Sequence, residues 1–239
     1  MRLFVREPER WVANAGKTKP PEIRELFTPA VRRLTISGLS MAVIALITWW
    51  TVNAFLQVVS GGLGAVSAKE LGMSPGETVL RVEGWKKIAT NSFNLGGLIG
   101  TLLTVPVSKI LGRKPMFGLY WAASSVSVLA AFGLDMAPET RLYMFFPIGL
   151  SVFGVFGSFT YYLPELFPTR LRGTGAGFCY NVGRVVAAIG PIVVGKVASM
   201  GADALGTAMR ALFWVGLVPL VGILLLPLVI ETKGKTLED

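Results

Sequence analysis

The stretch ALFWVGLVPLVGILLLPLVI, residues 211–230, carries no charge, and its only side-chain hydrogen-bonding group is the indole of Trp214. In a helix, about 20 such residues span roughly 30 Å, the depth of a bilayer's hydrocarbon core, so the run reads as a membrane span. Scanning outward with the same length gives five more candidates, at 34–59, 88–111, 116–134, 142–163 and 176–200. The expected fold class is therefore an all-α membrane protein with six transmembrane helices. A basic segment over residues 1–33 precedes the six-helix domain at 34–230, and a tail at 231–239 follows it. Composition agrees: 52% of the 239 residues are hydrophobic and 15% charged, and the mean hydropathy is +0.60. Soluble domains carry roughly a quarter charged residues.

The formal charge of +9 is unevenly placed, with eight of the 23 Lys and Arg in the first 33 residues. With both ends on one side, the segments on that side hold fifteen cations and the opposite segments six. That bias places both termini in the cytoplasm and makes the chain a multi-pass protein of the cell membrane, inner or plasma. The lipid bilayer is then its first partner, and the charge calls for no nucleic acid. The long outer segment 60–87 has room for a short surface helix. A single cysteine, Cys179, excludes an internal disulfide framework and a cysteine zinc cluster. Without any histidine the commonest general base and metal ligand is missing. An enzyme is not expected, and no cofactor or metal is implied.

Polarity separates the spans. The sixth is apolar on every face, and the third holds only the small hydroxyls Ser124, Ser125 and Ser127, which can bond back to their own helix. Both are expected at the periphery, facing lipid. The first, second and fifth carry Asn53, Gln57, Asn91, Asn94, Asn181 and Arg184, groups that hydrocarbon accepts only with partners. Arg184 stands out because it lies about 14 Å into its span, and a central Arg costs about 2.5 to 3.5 kcal/mol even on insertion scales. No Asp or Glu falls within the six candidate runs to balance it. Its partner is either an anionic ligand or a group on another element. Tyr180 and Asn181, four and three residues earlier, share its helical face and complete a candidate binding trio. Near the outer ends of their spans, Asn53 is a candidate substrate contact or part of a solvated mouth, and Asn94 a candidate substrate contact or a packing group.

Two inner loops carry concentrated charge. LGRKP, residues 111–115, forms a tight turn at Gly112 with Arg113 and Lys114 beside it. PELFPTRLRGTGAG, residues 164–177, places Glu165 near Arg170 and Arg172, so a charge cluster can form and break there.

With these loops in place the chain resembles the C-terminal half, spans seven to twelve, of a major facilitator superfamily transporter. VREPERW at 5–11, LGRKP, PELFPTRLRGTG and ETKGKTLED at 231–239 match the family's signatures in order and on the right side. The resemblance implies a 3+3 inverted repeat forming one half of a twelve-helix fold. It further implies secondary active transport by alternating access, with Gly112, Arg113, Lys114, Glu165, Arg170 and Arg172 in the cytoplasmic gating motifs. The run GFCYNVGRVVAAIGP around Arg184 is closest in flavour to proton-coupled carboxylate, aromatic-acid and sialate members, with sugar-porter-like members also near. The expected cargo is a small organic anion bound by Arg184, oriented by Tyr180 and Asn181, with protons as a candidate coupling ion. Its remaining partner would be a missing N-terminal half, on the same or a separate chain, or a second copy in a homodimer. Two other readings stand beside it: a non-transporting six-helix protein, either a decayed remnant or an assembly partner, and a transporter of sugars or other metabolites.

Overall fold

A computed structural model describes residues 19–199 and 203–234. The cations Arg2, Arg6, Arg10 and Lys17, the VREPERW motif and the end of the tail lie outside the described residues. Six helical stretches are long and apolar enough to cross a membrane: Arg32–Glu70, Pro75–Leu111, Arg113–Gly133, Pro138–Leu166, Thr169–Val197 and Ala204–Leu224. Among the described residues there is no strand.

The first two spans have 39 and 37 residues, about 55 to 60 Å each, far more than a bilayer needs. The outer segment 60–87 is thus no loop with a separate surface helix. It is the continuation of both helices, joined by a short turn at Gly72 (φ 64°) and restarted at Ser74. There the Ser74 hydroxyl accepts from the Glu77 N–H and the Glu77 carboxylate accepts from the Ser74 N–H, a reciprocal cap before Pro75. Gly64 lets the two helices meet this far out, since a Cβ there would lie 3.2 Å from the Val82 Cα.

The second span packs backbone against backbone on the fourth. Gly96, Gly97 and Gly100 face Gly149, Gly154 and Gly157, the close approach that small residues permit between membrane helices. The fourth span is not a regular α-helix. A π turn covers Gly149–Phe153 and a 3-10 stretch Gly154–Ser158 before the α-helix resumes at Phe159. The fifth breaks at Ala188 between Arg172–Ala187 and Ile189–Ser199, and Pro191 has no N–H for the carbonyl of Ala187.

The third span is more deeply packed than the sixth, 56% of its apolar window being buried against 28%, yet it still exposes Leu119, Val126 and Leu134 on an outer face. Met116, Phe117, Tyr120, Trp121, Val128 and Phe132 all lie in the core. The reason is packing on two sides, because the helix touches both the fourth and the sixth spans. Of its hydroxyls, Ser127 bonds back to the Ser124 carbonyl at 3.1 Å and pairs with Ser151 at 3.2 Å. Among the described residues the hydroxyls of Ser124 and Ser125 find no partner. The sixth span exposes Trp214, Leu220, Val221 and Leu224, as a lipid-facing helix should. Arg141, at the start of the fourth span, is buried and donates to the carbonyls of Ala131 and Leu134, closing the end of the third helix.

Candidate functional site

Arg184 lies twelve residues beyond Arg172, about 18 Å along the fifth span. Its neighbour Gly183 packs on Ala42 and Leu46 of the first span, so the next side chain, turned by 100°, is directed off that contact. Arg184 is exposed on this bundle, and among the described residues its side chain has no hydrogen bond, ion pair or cation–π contact. Among the described residues it neither stacks on an aromatic ring nor bonds to a carbonyl of an adjacent helix.

The other sequence candidates are only partly gathered. Tyr180 lies one turn before Arg184 and meets Phe159 of the fourth span edge-on, ring centres 6.3 Å apart. Asn181 donates from Nδ2 to the Gly177 carbonyl at 2.9 Å, within its own helix. Asn53 is half-buried in the first span and Asn94 exposed on the second, and no hydrogen bond links either to the fifth-span trio.

Beside this trio runs a row of rings that sequence reading did not assemble. Trp50 touches Trp49 at 5.1 Å, and Trp49 touches Phe153 at 5.6 Å and Phe156 at 5.7 Å. Phe156 meets Phe159 at 5.7 Å, and Phe159 leads to Tyr180. The row crosses from the first span through the fourth to the fifth. Phe153, Phe156 and Phe159 are three residues apart, and an α-helix would fan such a series by 60° at each step. The 3-10 stretch has three residues per turn, so side chains at i and i+3 align. That spacing of three was the available signal.

At the end of the bundle holding the basic loops, a second constellation forms. Arg113 grips Glu165 with both nitrogens of one fork, Nε to Oε2 at 3.0 Å and Nη2 to Oε1 at 2.6 Å, while its guanidinium lies 5.4 Å from the Tyr161 ring centre. Thr232 donates to the same Glu165 Oε2 at 2.6 Å. Glu231 then takes the backbone N–H groups of Arg113 and Lys114 at 2.9 and 3.0 Å, an anion on the free N-terminus of the third span. Lys233 Nζ reaches the Ile110 carbonyl, 2.9 Å away, at the C-terminus of the second. Gly112 is obligatory here: its φ is 100°, and a Cβ would meet the Glu231 carboxylate at 2.7 Å.

The sequence-based grouping of this cluster needs correction. Glu165 does not pair with Arg170 or Arg172. Arg170 pairs with Glu25, and Arg172 donates to the Pro164 carbonyl at 3.1 Å. Arg113 comes from 52 residues away, which a search among neighbours in sequence does not reach. Gly112, Arg113, Lys114 and Glu165 do assemble, joined by Glu231, Thr232 and Lys233, while the Lys114 side chain contributes only its charge.

Because Arg113 and Glu165 are largely shielded from solvent, a double-mutant cycle with R113Q and E165Q is expected to show about 1 to 3 kcal/mol of coupling in thermal unfolding. Additive losses would dissolve the pair. Burial alone would push the Glu231 carboxyl up, but the N–H groups of Arg113, Lys114 and Lys233 and the charge of Arg113 hold it below its ordinary 4.5. A depressed carboxylate stabilises the fold above its unfolded pKa, and that contribution disappears as pH falls through the folded value. Melting temperature should therefore drop on acidification below about pH 4.5 less steeply in E231Q than in the wild type.

Comparison with known proteins fits this geometry. Residues 142–239 match the family described as Sugar (and other) transporter. The chain is 31% identical over 146 residues, 60% of its length and 33% of the relative's, to the "Probable 4-methylmuconolactone transporter" of Cupriavidus pinatubonensis. It is 27% identical over 226 residues, 92% of its length and 52% of the relative's, to the "Cis,cis-muconate transport protein" of Acinetobacter baylyi. A third relative, the "Inner membrane metabolite transport protein YhjE" of Escherichia coli, is 32% identical over 133 residues, 52% of this chain and 30% of that one. The chain spans about a third to a half of these relatives. Six membrane-length helices, the packed glycine face between the second and fourth, the charge network at the basic loops and these relatives lead to one conclusion: the chain is an integral membrane protein of six helical spans, similar over residues 142–239 to the Sugar (and other) transporter family.

Proposed function

We propose that this chain forms one half of a secondary transporter that moves a small organic anion across the cell membrane by alternating access. The observation that carries the reading is Arg184, a guanidinium at mid-membrane depth with no partner among the described residues and beside a continuous row of aromatic rings. A cation in that position costs several kcal/mol unless an anion meets it, and a carboxylate matches the guanidinium fork in two parallel hydrogen bonds. The rings, set edge to face or tilted, supply an apolar wall for the rest of the solute. Tyr180 and Asn181 orient the bound group, and Asn53 and Asn94 add polar contacts toward the outer mouth. A relative named for cis,cis-muconate transport supports a carboxylate cargo.

The cavity requires a second half, since substrate in such folds binds between two six-helix units near the midplane. In this reading an N-terminal half or a second copy of the chain closes the site, and both termini face the cytoplasm. Proton coupling, where it operates, draws its titrating carboxylate from that other half. The network of Arg113, Glu165, Glu231 and Thr232 ties the second, third and fourth spans to the tail at the cytoplasmic face and acts as the inner latch.

The test is uptake of a carboxylate by the complete protein with Arg184 changed to Gln and to Lys. Unchanged uptake in R184Q would remove Arg184 from the site.

A further inference from the structure

Ahead of the first span a short 3-10 turn, Ile23–Phe27, is strapped to the bundle at its basic end. Leu26 is wholly buried, and its carbonyl accepts from the Thr35 hydroxyl at 2.8 Å. Glu25 pairs with Arg170 of the fifth span, and Arg170 also donates to the Lys19 carbonyl at 3.1 Å. Phe27 meets Phe178 of that span edge-on at 5.5 Å. With Leu26 plugged inward, the turn presents its other face outward, and Ile23 and Phe27 are 58% and 57% exposed.

Cations frame these apolar side chains. Arg24 is 79% exposed and shares Glu22 with Lys19. Arg32 and Arg33, both exposed, open the first span, and among the described residues neither side chain has a hydrogen-bond or ion-pair partner. One turn further on, Ile36 is 48% exposed. A rigid patch of apolar side chains with two unpaired guanidiniums, at the depth where a membrane span begins, has the chemistry of a bilayer interface. Acyl chains cover the apolar part and negative headgroups the cations.

We propose that this patch binds an anionic phospholipid, with Arg32 and Arg33 on the headgroup phosphate and Ile23, Phe27 and Ile36 against the acyl chains. The site rests on membrane insertion and does not depend on the cargo assigned to Arg184. Charge complementarity selects this occupant over a zwitterionic lipid, whose own cation would face Arg32 and Arg33.

The experiment uses the complete protein in detergent, titrated with phosphatidylglycerol or phosphatidylcholine and read by native mass spectrometry. The wild type should retain phosphatidylglycerol preferentially, and R32Q/R33Q should weaken that binding by about tenfold or more. K69Q/K87Q, at the opposite end of the bundle, should leave it unchanged. Equal retention of the two lipids by the wild type, or full retention of phosphatidylglycerol by R32Q/R33Q, overturns the proposal. Should the double variant fail to insert, the wild type still decides the matter: its preference must fall as salt rises from about 0.05 to 0.5 M, because exposed charges are then screened. A salt-independent preference overturns it too.

Discussion

Replacing Arg184 with Gln should lower carboxylate uptake by about a hundredfold to several thousandfold while leaving the protein folded and in the membrane. The size follows from what is removed. A charge-assisted, two-pronged contact to a desolvated carboxylate is lost, and breaking such a buried pair costs about 3 to 5 kcal/mol. Among the described residues the Arg184 side chain has no hydrogen bond, ion pair or cation–π contact, so the variant forfeits no such bond and should melt at or slightly above the wild-type temperature. Lys keeps the charge but has one ammonium in place of the planar fork, so R184K should recover only part of the activity, chiefly through a raised KM. A structural role predicts the reverse pattern, with R184Q unstable and any residual protein transporting normally. Measuring uptake and melting temperature on the same preparations separates the two.

The cost of placing Arg184 in an apolar run is legible in the sequence because its physical signal is local: a full charge there is costly whatever surrounds it. The six spans were legible for the same reason, since twenty apolar residues need no tertiary knowledge to be read. What escaped depends on where other elements lie. The aromatic row needs the fourth span to tighten to a 3-10 turn at Gly154–Ser158, and nothing in a hydrophobic count separates that from an α-helix. Glu165 was matched to the nearest cations in the chain, whereas the folded partner is Arg113 across the bundle. Glu231, a residue of the tail signature, acquires its role only when the tail returns to the start of the third span. How deeply the third span packs was not legible, because small hydroxyls and apolar residues suit lipid and protein equally, and its neighbours decide which it meets.

Adding one methyl group at Gly100 should have nearly the largest effect on stability of any substitution in the second span, and the same addition at Gly84 should have the opposite sign. A Cβ at Gly100 would fall on the Leu150 carbonyl oxygen and within 2.9 Å of the Gly154 Cα. Those are backbone atoms, which cannot rotate aside, so the second and fourth spans must separate. The cost of overpacking, about 1 to 3 kcal/mol for an extra methylene in a tight core, should sit at or above the top of that range for G100A and be larger for G100V. At Gly84, in the same helix, a Cβ would meet nothing within 4 Å, so G84A should gain up to about 1 kcal/mol from helix propensity. The separation at Gly100 also carries a functional consequence. The π and 3-10 turns that align Phe153, Phe156 and Phe159 sit directly on this glycine face, so G100A should impair uptake in the fraction of molecules that remain folded. A G100A protein that melts like the wild type would mean that the glycine face is not the contact holding the aromatic row.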